Sequence, residues 1–284
     1  VLNFLAAKAK PDGLTLIYTP WFPTGEIIGD PAQRFKYADL SVVGGVKHLG
    51  RMFFGRVDSV PGGIRKASDL VNAKTLLKVG GSRASNSNDL RSLLSVDLLG
   101  LKHKWVPGFR GQGKVFVAVF QKEIHLTATT IQAYRAKVEG LNKQAGGNAI
   151  KPLWHWRLPD GKGGWNKNAN ASEMPPFIEV YKAVHGKAPS GEMWNALKVV
   201  LELHGSSAQM VLGPPGIPKD RLAVLQKAWV AGLKDTIFQQ EYKKITGMVA
   251  GPVPTKVALE DVAKVSKVDP KVAAYLKKYI NSKN

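Results

Sequence analysis

Short apolar runs alternate along this chain with segments whose apolar residues recur every three or four positions. Runs rich in β-branched, leucine and aromatic residues, bounded by Gly, Pro, Asn or Asp, predict strands at residues 14–18, 40–46, 52–57, 76–79, 103–106, 124–127, 152–156 and 209–212. Helical spacing predicts helices over 67–73, 88–99, 115–122, 131–141, 177–185 and 192–203. Residues 3–10 read as the end of a helix stopped by Pro11-Asp12-Gly13. Pro218-Lys219-Asp220 opens a helix with Leu222, Leu225, Trp229 and Leu233 on one face, and two more follow Thr255 and Asp269-Pro270. In the last of these Val272, Leu276, Tyr279 and Ile280 form one stripe and the lysines the other. Alternating strands and helices predict an α/β fold with mainly parallel sheets and C-terminal helices. Composition shifts at 106–108 and 213–216 mark two candidate hinges, and the Gly- and Asn-rich stretch 161–172 predicts an exposed loop.

The chain has 284 residues, of which 44% are apolar, enough for a sizeable core in one large or two ordinary domains. No apolar run approaches the ~20 residues that span a bilayer. With no cysteine there is neither disulfide nor thiolate chemistry. The 41 Lys and Arg against 21 Asp and Glu leave a net charge of +20, which raises nucleic-acid or polyanion binding as an alternative function. Such binders gather their cations in a stripe. Here they run from Lys8 to Lys283, and the densest set, Lys264 to Lys283, is interleaved with Glu260, Asp261 and Asp269. That is the pattern of a solvated helix face, and the charge serves instead to speed encounter with small anions.

The six histidines show no i, i+4 pair and no HExxH order, so no metal site is nominated, and without a GxSxG elbow no catalytic residue is either. The segment Gly108-Phe109-Arg110-Gly111-Gln112-Gly113-Lys114-Val115 fits GxxxxGK but places Val115 where a hydroxyl should hold magnesium, which argues against nucleotide hydrolysis. No cofactor is implied. Several strand ends are polar and lead into helices: Tyr18-Thr19-Pro20-Trp21, the loop 80–88 with Gly81, Ser82, Arg83, Ser85 and Asn86, and Leu126-Thr127-Ala128-Thr129-Thr130. Hydroxyls and amides at strand C-termini line the usual ligand crevice of open α/β sheets, and favour a small oxygen-rich anion.

At these residues the chain resembles the receptors of tripartite tricarboxylate transporters, the Bug-type extracytoplasmic solute-binding proteins. Ala9-Lys10-Pro11-Asp12-Gly13-Leu14-Thr15-Leu16 is similar to their A-PDGYTL; Val106-Pro107-Gly108-Phe109-Arg110-Gly111 to VPYKG; Lys122-Glu123-Ile124-His125 to GGQVD; Met174-Pro175-Pro176-Phe177-Ile178-Glu179-Val180 to DVPTFxEV; and Gly213-Pro214-Pro215-Gly216-Ile217-Pro218-Lys219 to APPGTPK. The order holds from about residue 3 to the end. The resemblance implies a two-lobed periplasmic-binding-protein type II architecture, lobe 1 formed by residues 1–106 and 214–284 and lobe 2 by 107–213, with a carboxylate in the interlobe cleft. It assigns ligand contacts to Thr19, Pro20, Trp21, Gly81, Ser82, Arg83, Ser85, Asn86, Phe109, Arg110, Thr127, Thr129 and Thr130. It also implies a non-enzymatic monomer, periplasmic or otherwise extracytoplasmic, that binds no nucleic acid and delivers its ligand to a permease of one large and one small subunit. Three departures stand out: His125 in place of an acid, Lys122 in place of glycine, and Thr127–Thr130 without the family's aspartate. The family's opening strand, Gly-rich loop and helix have no counterpart before Asn3, and Val1 follows no signal peptide, so the resemblance predicts several tens of residues upstream.

Overall fold

The computed structural model describes residues 1–284 apart from His48, 161–163, Lys167, 204–205 and Asn284. In chain order the elements are α1 (Leu2–Ala7), β1 (Ile17–Pro20), α2 (Thr24–Ile27), β2 (Ser41–Lys47), β3 (Arg51–Arg56), β4 (Leu77–Gly80), α3 (Ser87–Leu98), β5 (His103–Val106), α4 (Gln112–Phe120), β6 (Leu126–Thr130), α5 (Ile131–Ala133), a π-helical turn (Tyr134–Val138), α6 (Glu139–Gln144), β7 (Ile150–Trp156), β8 (Leu158–Pro159), β9 (Trp165–Asn166), α7 (Phe177–His185), α8 (Glu192–Leu203), β10 (Ser207–Gly213), α9 (Lys219–Lys234), α10 (Thr236–Thr246), β11 (Pro252–Val253), α11 (Thr255–Val265) and α12 (Pro270–Asn281). All eight predicted strands are present, most within a few residues of the expected bounds. The predicted helix 67–73 is instead a 3-10 segment, Ala67–Asn72. Of the expected loop 161–172, the described part contains β9 and the buried Asn168 and Ala171.

The chain divides into two compact units, Val1–His48 with Glu202–Ala273, and Leu49–Leu201 with Ala274–Asn284. The boundaries expected at 106/107 and 213/214 are therefore corrected. The physical reason is pairing: β4 bonds to β5 on one side and to β6 on the other, so residues on both sides of Val106 belong to one sheet. Pro107 and Gly108 form a loop of that unit.

Unit 1 holds a four-stranded sheet in the order β1-β10-β2-β11, and every pairing in it is antiparallel. In unit 2 the order is β5-β4-β6-β3-β7, with β4 parallel to β5 and β6, and β3 antiparallel to β6 and β7. The α/β class holds, but the sheets are mixed rather than mainly parallel. Strand β3 follows β2 after a short connection, and β10 runs back between β1 and β2, so these long strands enter each sheet against its other members.

Both faces of the unit 2 sheet are covered. Met52 and Phe54 of β3 pack with Val115, Phe116 and Val119 of α4, Ile131, Tyr134 and Val138. On alternate positions Phe53 stacks on Trp154, ring centroids 4.4 Å apart, and Trp154 meets Trp156 and Phe177 of α7. The strand period of two makes one run, Arg51–Arg56, serve two cores. Helix α12 joins this unit: Leu276, Tyr279 and Ile280 are buried, as its apolar stripe predicts, and Tyr279 donates its hydroxyl to Asp97 of α3 at 2.5 Å.

In unit 1 Trp229 of α9 lies against β2, its indole N–H donating to the Gly45 carbonyl at 3.3 Å. A Cβ at Gly44 would collide with the Trp229 ring, so the glycine is what lets the helix sit this close. Buried Asp261 of α11 accepts from the Ser206 and Ser207 amides, both at 3.2 Å, and fastens the start of β10.

Candidate binding edge of unit 2

Parallel pairing brings the C-terminal ends of β4, β5 and β6 to one edge of the unit 2 sheet. Because β3 is antiparallel to β6 and β7, its first residue, Arg51, stands at the same edge, opposite Thr130 and Trp156. The loops after β4 and β5 are tied together there, the Gly108 amide donating to the Ser82 carbonyl and the Phe109 amide to Gly81. Topology thus gathers ten of the thirteen expected ligand residues: Gly81, Ser82, Arg83, Ser85, Asn86, Phe109, Arg110, Thr127, Thr129 and Thr130. The other three, Thr19, Pro20 and Trp21, belong to unit 1.

Many of these residues already spend their polar groups within the fold. Asn86 is the N-cap of α3 and accepts from the Asn88 amide at 2.9 Å. Thr130 caps α5, accepting from the Ala133 amide at 3.1 Å. Thr127 is buried and donates to the Gly80 carbonyl at 2.9 Å. Phe109 packs against the core beneath α4. Trp21 is fully buried, donates to the Leu203 carbonyl at 2.6 Å and meets Tyr37 edge-on. Arg83 and Arg110 are exposed and Ser85 is half-buried. Thr19 is half-buried beside the exposed Pro20.

The amide cradle at 81–83 has an occupant from the chain itself. The Ser82 amide (2.8 Å), the Ser82 hydroxyl (2.9 Å) and the Arg83 amide (3.2 Å) all donate to one carboxylate oxygen of Asp89. Burial pushes the Asp89 carboxyl up from its ordinary range, against these hydrogen bonds and the Arg51 guanidinium. Arg51 is buried, donates to the Asn88 side chain and is lowered to about 10, chiefly by desolvation. Arg91, one turn into α3, is buried too; its Nε donates to the Ser87 carbonyl at 2.9 Å and its guanidinium lies 5.6 Å from the Trp156 ring centre. Burial, then repulsion from Arg51, holds it well below the usual arginine range.

Sequence reading missed Asp89, Arg51, Arg91 and His155. An acid in the first turn of a helix looks like ordinary dipole complementation, and no local pattern reveals that β3 delivers an arginine to the same edge. Buried polar atoms with no partner in the fold occur on the strands and helices that meet here: Ser87 Oγ and Arg91 Nη2 of α3, Trp105 Nε1 of β5, Thr129 Oγ1 of β6, Gln132 Oε1 of α5 and His155 Nδ1 of β7. Thr129 and His155 both pair with Met52 from opposite sides and so share one face of the sheet. His155 is held below its ordinary value of 6.5, mainly by burial, which keeps its ring neutral at neutral pH. Buried polar atoms without partners are rare in a folded chain, and several at one edge mark a place where something polar belongs. Among the described residues no group of acids and histidines is arranged to hold a metal.

The charge is also unevenly placed. Unit 2 carries 26 Lys and Arg against 10 Asp and Glu, a net +16 of the chain's +20. The apparent dispersal along the sequence thus hides a concentration in the unit with the strand-end edge.

No family model matches the sequence, and no curated protein is significantly similar to it. Solved structures are similar in fold. The periplasmic binding protein BugD superposes with a TM-score of 0.66 at 20% identity, over 97% of this chain and 81% of its own. MatC of Rhodopseudomonas palustris with bound malate gives 0.62 at 16%, over 97% and 82%. Rpa4515 of the same organism, solved with adipate, gives 0.61 at 20%, over 96% and 82%. The chain therefore has the α/β fold of the Bug- and TctC-type periplasmic binding proteins.

Proposed function

We propose that this protein is an extracytoplasmic solute-binding receptor of the Bug type, which captures a small organic carboxylate and delivers it to a tripartite membrane transporter of one large and one small permease subunit. The observation that carries the reading is the set of unpartnered buried polar atoms at the strand-end edge of unit 2, in a fold whose neighbours include proteins solved with malate and with adipate. In this reading the contacts come from Thr129, Ser85, Arg83 and Arg110 of unit 2. The receptor works as a monomer without a cofactor or a chemical step; hydrogen bonds from buried donors to an ionised acid supply the affinity. The excess positive charge of unit 2 raises the encounter rate with anions. No described helix is long and apolar enough to cross a membrane.

The seven tryptophans provide the assay. Intrinsic fluorescence and melting temperature, followed across mono-, di-, tri- and aromatic carboxylates, should change saturably for at least one acid, with little dependence on salt. A protein that ignores every acid, yet binds duplex DNA with an affinity falling steeply with salt, would be a polyanion binder instead.

A further inference from the structure

We propose that Asp89 is a specificity-determining residue: its carboxylate is the resident occupant of the amide cradle at 81–83, the seat that loop would otherwise offer to an acid from solution. Three donors converge on a single Asp89 oxygen, two of them backbone amides of successive residues, which is the geometry by which a loop at a helix N-terminus holds a free carboxylate. The backbone is shaped to this occupant. A Cβ at Gly81 would collide with the second Asp89 oxygen and with the Trp105 ring, so glycine is required for the carboxylate to lie over the loop. The cradle is reachable, since Ser82 is half-buried and Arg83 exposed, while the carboxylate that fills it comes from the interior. Charge accounting points the same way. Among the described residues of unit 2, Asp89 is the one buried carboxylate, and it interacts with the buried guanidinium of Arg51.

Two consequences follow. Removal of the side chain leaves three converging donors beside the Arg51 guanidinium, a vacancy that a small free carboxylate fits. On the receptor reading, on which this second consequence rests, a ligand in the native protein meets a fixed negative charge at this loop instead of free amides. The acid it selects then bears its charge at one end only, and a second carboxylate directed at the loop is rejected.

The test compares the native protein, Asp89→Ala and Asp89→Asn in a formate series against chloride at equal ionic strength. Formate should raise the melting temperature of Asp89→Ala saturably and leave the native protein and Asp89→Asn, whose amide oxygen still fills the seat, unchanged. No formate-specific rise in Asp89→Ala, or an equal rise in all three, overturns the proposal. If Asp89→Ala does not fold unaided, its recovery on dilution from urea should be greater in formate than in chloride, and equal recovery is the overturning result. A second arm titrates hexanoate and adipate by tryptophan fluorescence: Asp89→Ala should gain roughly tenfold or more in its preference for adipate over hexanoate, the worth of one charge-assisted hydrogen bond to the second acid. An unchanged ratio overturns the selectivity claim. Failure of both acids on both proteins, with formate rescue intact, sinks the receptor reading for such acids and leaves the occupied seat standing.

Discussion

The two units differ in how completely they bury their apolar residues. In unit 2 both sheet faces are covered, and the aromatic set Phe53, Trp154 and Trp156 is almost fully buried. Unit 1 is thinner. Helix α10 buries no residue and α9 only Leu233, while Ile237 and Ile245 are each 72% exposed, Val224 68% and Leu14 87%. Its sheet also ends on β1, a strand with alternate residues exposed. The contrast separates two ways of being stable. Unit 2 relies on packing that penalises any lost volume, whereas unit 1 depends more on a few polar fastenings such as Asp261 and Trp229.

Mutations sharpen or break this comparison. The largest effect is expected for Trp154→Ala, which opens a cavity between β7 and α7 and should cost about 3–5 kcal/mol in urea unfolding. Phe238→Ala in α10 removes a ring of the less buried unit and should cost below about 1 kcal/mol; equal losses would erase the distinction. Next is Asp261→Ala, which strips the acceptor from two amides at the start of β10 and should cost roughly 1–3 kcal/mol, with faster hydrogen exchange at Ser206 and Ser207. Tyr279→Phe removes one hydrogen bond to Asp97 and should cost about 1 kcal/mol. The smallest effect is a pH dependence. His155 has a folded pKa below its ordinary 6.5, so the unfolded chain binds the extra proton first; its contribution is present above 6.5 and is lost as pH falls below it. The urea midpoint should therefore drop more steeply below pH 6.5 in the native protein than in His155→Gln, and parallel profiles would assign that drop elsewhere, with the similarly lowered His125 the first alternative.

Much of this architecture is legible in the residues. The bounds of β5, α7 and α8 coincide with those read from pattern, because each is a clear run closed by its own signals; α7, for one, ends at Gly186 in the left-handed conformation. What pattern did not reveal is pairing. Pro107-Gly108 has the composition of a hinge, yet the strands on either side of it share a sheet. Helix α10 escaped notice because a helix with no buried residue makes no tertiary demand on its sequence. At the binding edge, the polar strand ends were visible one by one, but Arg51 arrives from β3, far from the loops it joins, and Trp21 reads identically whether it packs or stacks on a ligand. Asp89 shows the limit most clearly: the residues of its cradle were recognised, and the carboxylate that fills it stood only a few positions further along.

The place of α12 has a consequence for biosynthesis. Helices α9, α10 and α11 lie in unit 1, but the chain returns to unit 2 at Ala274, where Tyr279 and Lys283 both engage Asp97 of α3. During vectorial synthesis the segment Leu49–Leu201 emerges early, and must wait for α12 before the helix that starts at the acid-bearing edge receives its final partner. The sheet whose full set of strands is synthesised first thus belongs to the unit that receives its last helix at the end of the chain, and a stalled or clipped product lacking α12 would leave Asp97 and the apolar face beneath it open to chaperones and proteases.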